Sequence, residues 1–564
     1  MSVQRTVIGI VLILAIVVGG LWWRATWVAN HLLHVEAPRS IAEKSGDVYR
    51  LEVGHARFNP LRRRIVVDSI HVTTNDEVNA RRPRPRTTLR LAFHQCTIAG
   101  MHLFTLIAGR GLIADTFGCA AVSAAAEVPR RPPSSASDTA AQPRAAQAFF
   151  VLQQGLRLPS FVPRVQVTTI DFPHVELDFR LQRARGGEAR LELQHLQWRM
   201  TDLTIDPADS VATARPLFSR TVELSAANFV AHPDSATALQ VERFVGSLSD
   251  SALEVRGVAF APTLSDSASA RSQPYRHTLI KAAVGRVAVQ GLDVGAMVLG
   301  EGWRARRVQL DSLRLDVFSD RRRPPNPRPP ARRTPQRWIA DLDRSASIDS
   351  VLIRAGEIVY REQRARHPQP GVMTFARLEA VAVNLRHFAG RRRAGEPMTL
   401  HATAYLQNAG RLAAQFVAPL DAPTFAMTFR GTLGPMPATK FNAFIHETSP
   451  LRLAKGRVVE IAFDASVANG VARGTVTPRY HDLAVEVTGR GSQGILGTGG
   501  VIGDAARGIA TFVGNETELR SDNPDDGTTT PLSGTINHLF TSRETLPAFL
   551  WASIRDGLFA VVRK

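Results

Sequence analysis

Val175-Glu176-Leu177-Asp178-Phe179-Arg180-Leu181 alternates apolar and charged side chains without a break. Successive side chains of a strand point to opposite faces, so this run reads as a strand that is dry on one face and wet on the other. The alternation returns in Val459-Glu460-Ile461-Ala462-Phe463-Asp464-Ala465 and over most of the chain. Turn signals as short as Asn469-Gly470 separate such runs, which predicts an antiparallel meander in place of β-α-β units. The expected class is mainly β, with few helices.

Within this pattern one phrase recurs: apolar, Asp, Ser, apolar, any residue, apolar. It stands at Val67-Asp68-Ser69-Ile70-His71-Val72, Leu310-Asp311-Ser312-Leu313-Arg314-Leu315 and Ile348-Asp349-Ser350-Val351-Leu352-Ile353, with a looser form at Ser249-Asp250-Ser251-Ala252-Leu253. Across each Asp-Ser the apolar phase moves by one residue, as at a bulge or bend that keeps the dry face inward. The plainer reading is that acid-plus-hydroxyl pairs mark strand ends. The copies are unevenly spaced, so they do not define a solenoid period.

Two tracts interrupt the strands: Pro129 to Pro143, rich in Pro, Ser and Ala, and the Arg/Pro run Arg321 to Pro335. Neither composition builds a core. The second suits a solvated loop or contact with anionic headgroups. The expected organisation is 1–28, 29–128, a linker at 129–145, 146–318, a loop at 319–336, and 337–564. A short helix is expected at His102 to Gly109, with Phe104 and Ile107 on one side. A longer amphipathic one is expected from Leu546 to Val562, because Leu546, Phe549, Leu550, Ile554, Leu558 and Val561 recur at three and four after Thr545-Leu546-Pro547. It suits a cap on the sheet end or, with Arg555, Arg563 and Lys564, a membrane surface.

The amino terminus carries a different signal. Val7 to Trp23 is unbroken apolar sequence including Val7, Ile8, Ile10, Leu12, Leu14, Val17, Leu21, Trp22 and Trp23. Extended to Val28 it reaches the ~30 Å of a bilayer core, with Trp22, Trp23 and Trp27 at headgroup level. A single-pass anchor is the expectation, because no small-x-small cleavage site precedes the tryptophans; a signal peptide is the alternative. Arg24, Arg39 and Lys44 lie downstream against Arg5 upstream, so charge does not decide the orientation.

Of 69 basic residues only five are lysine, and the formal net charge is +19. The arginines are spread one or two per strand without interleaved aromatics, which suits solvated sheet faces and not a nucleic-acid surface. The only cysteines, Cys96 and Cys119, exclude an all-cysteine metal site; they suit either one disulfide or two separate buried thiols. Gly489-Arg490-Gly491-Ser492-Gln493-Gly494 matches a dinucleotide fingerprint by letter, yet Gly497, Gly499, Gly500 and Gly503 follow where a helix is needed. Histidines occur singly, and no nucleophile elbow, phosphate loop or zinc-protease motif is present. No catalytic, cofactor or metal residue is expected.

The layout resembles the AsmA-like family of bacterial envelope proteins. The resemblance rests on the amino-terminal anchor before a long β body, on Ile98 to Ile107, Val317 to Pro325, Ala355 to Glu362 and Arg479 to Val485, and on the terminal helix bearing Trp551. It implies an elongated, twisted antiparallel sheet curled into an apolar groove, anchored in the inner membrane with its bulk in the periplasm. It further implies phospholipid as the partner, in lipid transfer or outer-membrane assembly. The expected acyl-chain wall is Val175, Leu177, Phe179, Leu313, Leu315, Val459, Ile461 and Phe463. A scaffold of closed β-sandwiches without lipid is the alternative, since an apolar sheet face must be covered by helices, a second sheet or a ligand. An envelope hydrolase would need clustered carboxylates or histidines.

Overall fold

In the computed structural model the described residues are Trp27 and 30–563, except 60, 83–86, 129–162, 183–187, 207, 210–214, 235, 264–267, 269–273, 294–301, 328–333, 341–344, 366, 388–395, 450, 488–518 and 542–543. The expected anchor at Val7 to Trp23, the linker at Pro129 to Pro143 and the glycine-rich run lie outside them. Among the described residues no helix is long and apolar enough to cross a membrane.

The chain is mainly β and divides into two units, Met1–Arg256 with Val294–Glu301 and Gly257–Asp293 with Gly302–Lys564. In the first, α1 (Ala37–Ser45) leads into β1 (Tyr49–Val53) and β2 (Ala56–Asn59), which both pair with β3 (Arg64–Thr74). After α2 (Asp76–Ala80) come β4 (Thr88–Ala99), α3 (Leu103–Ile107) and β5 (Leu112–Val128), so that β3, β4 and β5 form an antiparallel run. A second antiparallel run follows, of β6 (Val165–Gln182), β7 (Glu188–Ile205), β8 (Thr221–Asp234) and β9 (Thr237–Ser247). The strand β10 (Ala252–Pro262) crosses the unit boundary.

The second unit begins with β11 (His277–Gln290) antiparallel to β12 (Gly302–Asp320), followed by α4 (Pro335–Ala340). Its main run is β13 (Ser345–Gln363), β14 (Gly371–His387), β15 (Met398–Leu406), β16 (Gly410–Ala418) and β17 (Met427–Leu433), antiparallel throughout. Both β17 and β18 (Met436–Pro437) pair with β19 (Leu451–Ala468), with α5 (Asn442–Thr448) between. The run ends in β20 (Val471–Val487), β21 (Gly534–Leu539) and α6 (Leu546–Val562).

One expectation is corrected: the sheet is mixed, not antiparallel throughout. The pairs β5–β6 and β12–β13 are parallel. A parallel neighbour requires the chain to travel back before it pairs, which a tight turn cannot do. The two proline-rich tracts stand at these two crossovers, between strands that share a ladder.

The Asp-Ser phrases sit where the strands change phase, but the register does not slip there. Val67 pairs with Cys96 and Ser69 with His94 in one continuous register, and opposite Asp68 it is Gln95 that turns left-handed at φ +49°. Ile348–Leu385 and Ser350–Val383 flank Asp349 in the same way, opposite Asn384 at φ +60°, whereas in Asp311-Ser312 the serine itself turns, at φ +56°. Register survives because neighbours shift phase together: the core-facing residues step from Val67 to Ile70 on β3, from Cys96 to Phe93 on β4 and from Cys119 to Val122 on β5. Each aspartate accepts from an arginine on an adjoining strand, Arg57 to Asp68 at 2.9 Å, Arg286 to Asp311 at 3.2 Å and Arg386 to Asp349 at 3.3 Å.

Cys96 and Cys119 form a disulfide between directly paired residues, Cα atoms 3.9 Å apart. The bridge lies in the core of the first unit with Ile65, Ile170, Phe172, Met200 and Val222. The short helix α3 is present, but its orientation differs from expectation: Met101 and Leu106 point inward while Phe104 is 85% exposed. At the carboxyl end α6 has the expected bounds. Thr545 caps it by accepting from the Ala548 amide at 3.4 Å. Its Phe549 and Val561 are buried, and Phe549 meets Phe425 at a tilt and Phe540 edge-on over the dry face of β17 to β21.

Candidate functional site

Directly paired residues share a face, so the ladders assign each predicted wall residue to a row. In the first unit three consecutive rows run across the dry face: Phe93–Val122–Val175–Leu196, Leu91–Ala124–Leu177–Leu193, and Leu89–Ala126–Phe179–Leu191–Ala231–Leu239. The opposite face carries Asp178, Arg180 and Arg190; hydrogen bonds from Arg180 and then Arg190 hold the Asp178 carboxyl below its usual range. Burial grades along the dry face. Val175 is 5% exposed and belongs to the disulfide core, whereas Leu177, Phe179, Leu191 and Leu239 are half-buried outside it. None of these four side chains belongs to the core cluster around the disulfide. A Leu or Phe gains about 1.5–3 kcal/mol on full burial, so each half-covered side chain leaves on the order of 1 kcal/mol to be gained from a cover.

In the second unit the wall residues part company. Leu315 pairs with Ile358 and Leu313 with Val284; both are half-buried and join no core cluster. Phe463, 9% exposed, packs against Phe429 in the core under α6, and Ile461 packs beside it. Val459 falls at a register shift between Val458 and Glu460, and it is Val458 that enters the apolar cluster with Met436 and Leu433. Period-two counting from Ile461 passes over this bulge, so it selects the wrong valine.

A shallow hollow of about 550 Å³ opens across β13 to β17, lined by Arg354, Glu379, Val381, His401, Gln415 and Arg430 among others. These side chains belong to two rows flanking Ile353–Ala380–Ala402–Ala414–Gly431, which shows that the hollow lies on the wet face. The hollow is open and its lining is mixed, with Leu352, Ile353 and Val381 beside polar groups: Arg430 donates to Gln415 at 2.7 Å, and Glu379 accepts the Ala355 amide at 2.9 Å. Among the described residues no group of three or more His, Cys, Asp and Glu is placed to hold a metal ion.

The dry row Ile358–Tyr360–Glu362 ends in a buried knot of charge that sequence reading missed. Glu362, 2% exposed, takes Arg321 at 3.1 Å, Arg364 at 2.8 Å and the Tyr360 hydroxyl at 2.9 Å, while the neighbouring buried Asp320 takes Arg322. Burial pushes the Glu362 carboxyl up, but the Arg321 and Arg364 guanidiniums outweigh it and the group titrates below its ordinary value. Burial, with the charge of Glu362, moves Tyr360 up to about 12. Phe318 pairs with Arg361 and Ser319 with Glu362, so Val317 to Pro325 and Ala355 to Glu362, separate in sequence, meet at the ends of two parallel strands. A buried carboxylate with two guanidiniums pins these strand ends. Its only sequence trace was Glu362 in the apolar phase of Ile358 and Tyr360.

No family model matches this chain, and no curated protein matches it.

Proposed function

We propose that this is a non-enzymatic, membrane-anchored envelope protein of the AsmA-like kind, held in the inner membrane by residues 1–28. Its body extends into the periplasm and binds lipid acyl chains on the apolar sheet face, supporting phospholipid transfer or outer-membrane assembly. The observation that carries this reading is the graded dry face of β4 to β9, which passes from a closed core at Val175 to half-covered Leu177, Phe179 and Leu191 outside that core. The disulfide supports an oxidising compartment. The alternative, a scaffold closed by its own side chains, draws its support from the carboxyl end, where α6 covers Phe429 and Phe463.

The test is phospholipid content. The full chain purified in mild detergent is expected to retain phospholipid, and Leu177→Asp with Phe179→Asp to lower it about tenfold. A lipid-free wild type, or equal lipid in folded wild type and variant, overturns the reading in favour of the scaffold.

A further inference from the structure

The most exposed large apolar side chains among the described residues are Leu61, 86% exposed, and Phe104, 85% exposed. They stand at one end of the first unit, on the turn from β2 into β3 and on the β4–β5 connection that carries α3. Three hydrogen bonds fasten these loops together: Arg63 Nε to the Met101 carbonyl at 2.8 Å, Arg63 Nη2 to the Gly100 carbonyl at 2.9 Å, and the Met101 amide to the Arg63 carbonyl at 3.1 Å. Met101 and Leu106 lie buried beneath, so the outward residues stand on a built platform. Arg62 and Arg110 lie on the same loops with no acidic partner among the described residues. Of the acids at this end, Asp206 faces Arg164 at 3.6 Å, and Asp115 is exposed.

The chain enters this unit at the opposite end, where Tyr49 pairs with Thr74. The 11 residues of β3 separate the two ends by about 35 Å at about 3.3 Å per residue. We propose that the Leu61–Phe104 loop pair is a docking tip for an anionic phospholipid surface other than the one occupied by residues 1–28. Leu61 and Phe104 enter the boundary between headgroups and acyl chains, and Arg62 and Arg110 meet the phosphates. A bilayer is the fitting occupant because a stable protein interface buries about 800 Å² per partner, several times what two side chains offer. Two large apolar side chains with two arginines beside them give weak, reversible attachment to an anionic interface. The inference rests on the proposed anchor at residues 1–28 and not on acyl chains binding the sheet face.

The test uses the full chain in neutral nanodiscs, which occupy its amino-terminal segment, with an environment-sensitive fluorophore on Ala108→Cys, an exposed site on the same loop. The native cysteines are bonded to each other and do not compete for the label. Separate vesicles rich in phosphatidylglycerol with brominated acyl chains are then added. The expected result is saturable quenching, with the half-maximal vesicle concentration raised about tenfold by Leu61→Asp with Phe104→Asp, and similarly by Arg62→Glu with Arg110→Glu. No quenching at high vesicle concentration overturns the proposal, as does equal quenching by phosphatidylcholine vesicles or by the charge-reversed variant. This readout is independent of co-purified phospholipid, so the two proposals fail separately.

Discussion

His538 stands 3.0 Å from both Asp556 on α6 and Glu544 before it. Hydrogen bonds to Asp556 and Glu544 raise its pKa from 6.5 to about 9. Both carboxyls are pushed up by burial yet held below their ordinary values by His538. A raised histidine contributes its full stabilisation below pH 6.5 and loses it as pH rises through about 9; the lowered carboxylates lose theirs in acid. Thermal melting is therefore expected to be highest from about pH 5 to 7 and to fall toward pH 9 to 10. His538→Ala should remove the alkaline fall and cost about 2–3 kcal/mol at neutral pH. A second residue-scale test concerns Cys96 and Cys119, which were as compatible with two thiols as with a bond when read from sequence. Reduction, or Cys96→Ala with Cys119→Ala, is expected to lower guanidinium stability by about 2–4 kcal/mol, with thiol labelling only after reduction. The cross-strand arginine–aspartate pairs at Asp68 and Asp349 are solvent-exposed, and each contributes at most about 1 kcal/mol, whereas the pair at Asp311 is part-buried.

At the level of elements, α6 approaches the sheet through two glycines. A Cβ at Gly534 would fall on the Gly557 carbonyl, and one at Gly557 on the Val476 side chain. Gly534→Val is expected to cost about 3 kcal/mol and to expose α6 to protease, read by melting and by carboxyl-terminal trimming. This helix was legible because its signals are local: a capping Thr545, Pro547 in the first turn, and a three-four apolar stripe. The burial of Arg555 beside Asp556 was not, since it depends on what the helix meets. The parallel pairs carry their own consequence. Because β5 and β6 share a ladder, protease cleavage within 129–143 is expected to leave two fragments that co-elute in native buffer and separate only in denaturant. Fragments that part without denaturant would contradict that pairing.

For the whole molecule, the +19 charge and the apolar rows predict two separable kinds of binding. The outer rows at Leu177, Phe179 and Leu191 hold no charged side chain, so retained phospholipid is expected to respond to acyl-chain length and to stay constant from low to high salt. Adventitious nucleic acid on the arginine-rich faces should instead dissociate as salt rises. Salt-sensitive phospholipid would move the lipid site from the sheet face to the basic surface. The mainly β class, the wet and dry sides of strands such as β6, and the bounds of the last helix were determined by the sequence alone. Period two, period 3.6 and capping chemistry act between residues a few positions apart. Only the tertiary structure decided that β5 joins β6 and β12 joins β13 in parallel, that Val458 replaces Val459 in the core, and that Val175 and Phe463 are enclosed while Leu177 and Phe179 stand half open. Those outcomes depend on which distant strands meet and on what lies above them, and alternation marks which face is apolar without marking what covers it.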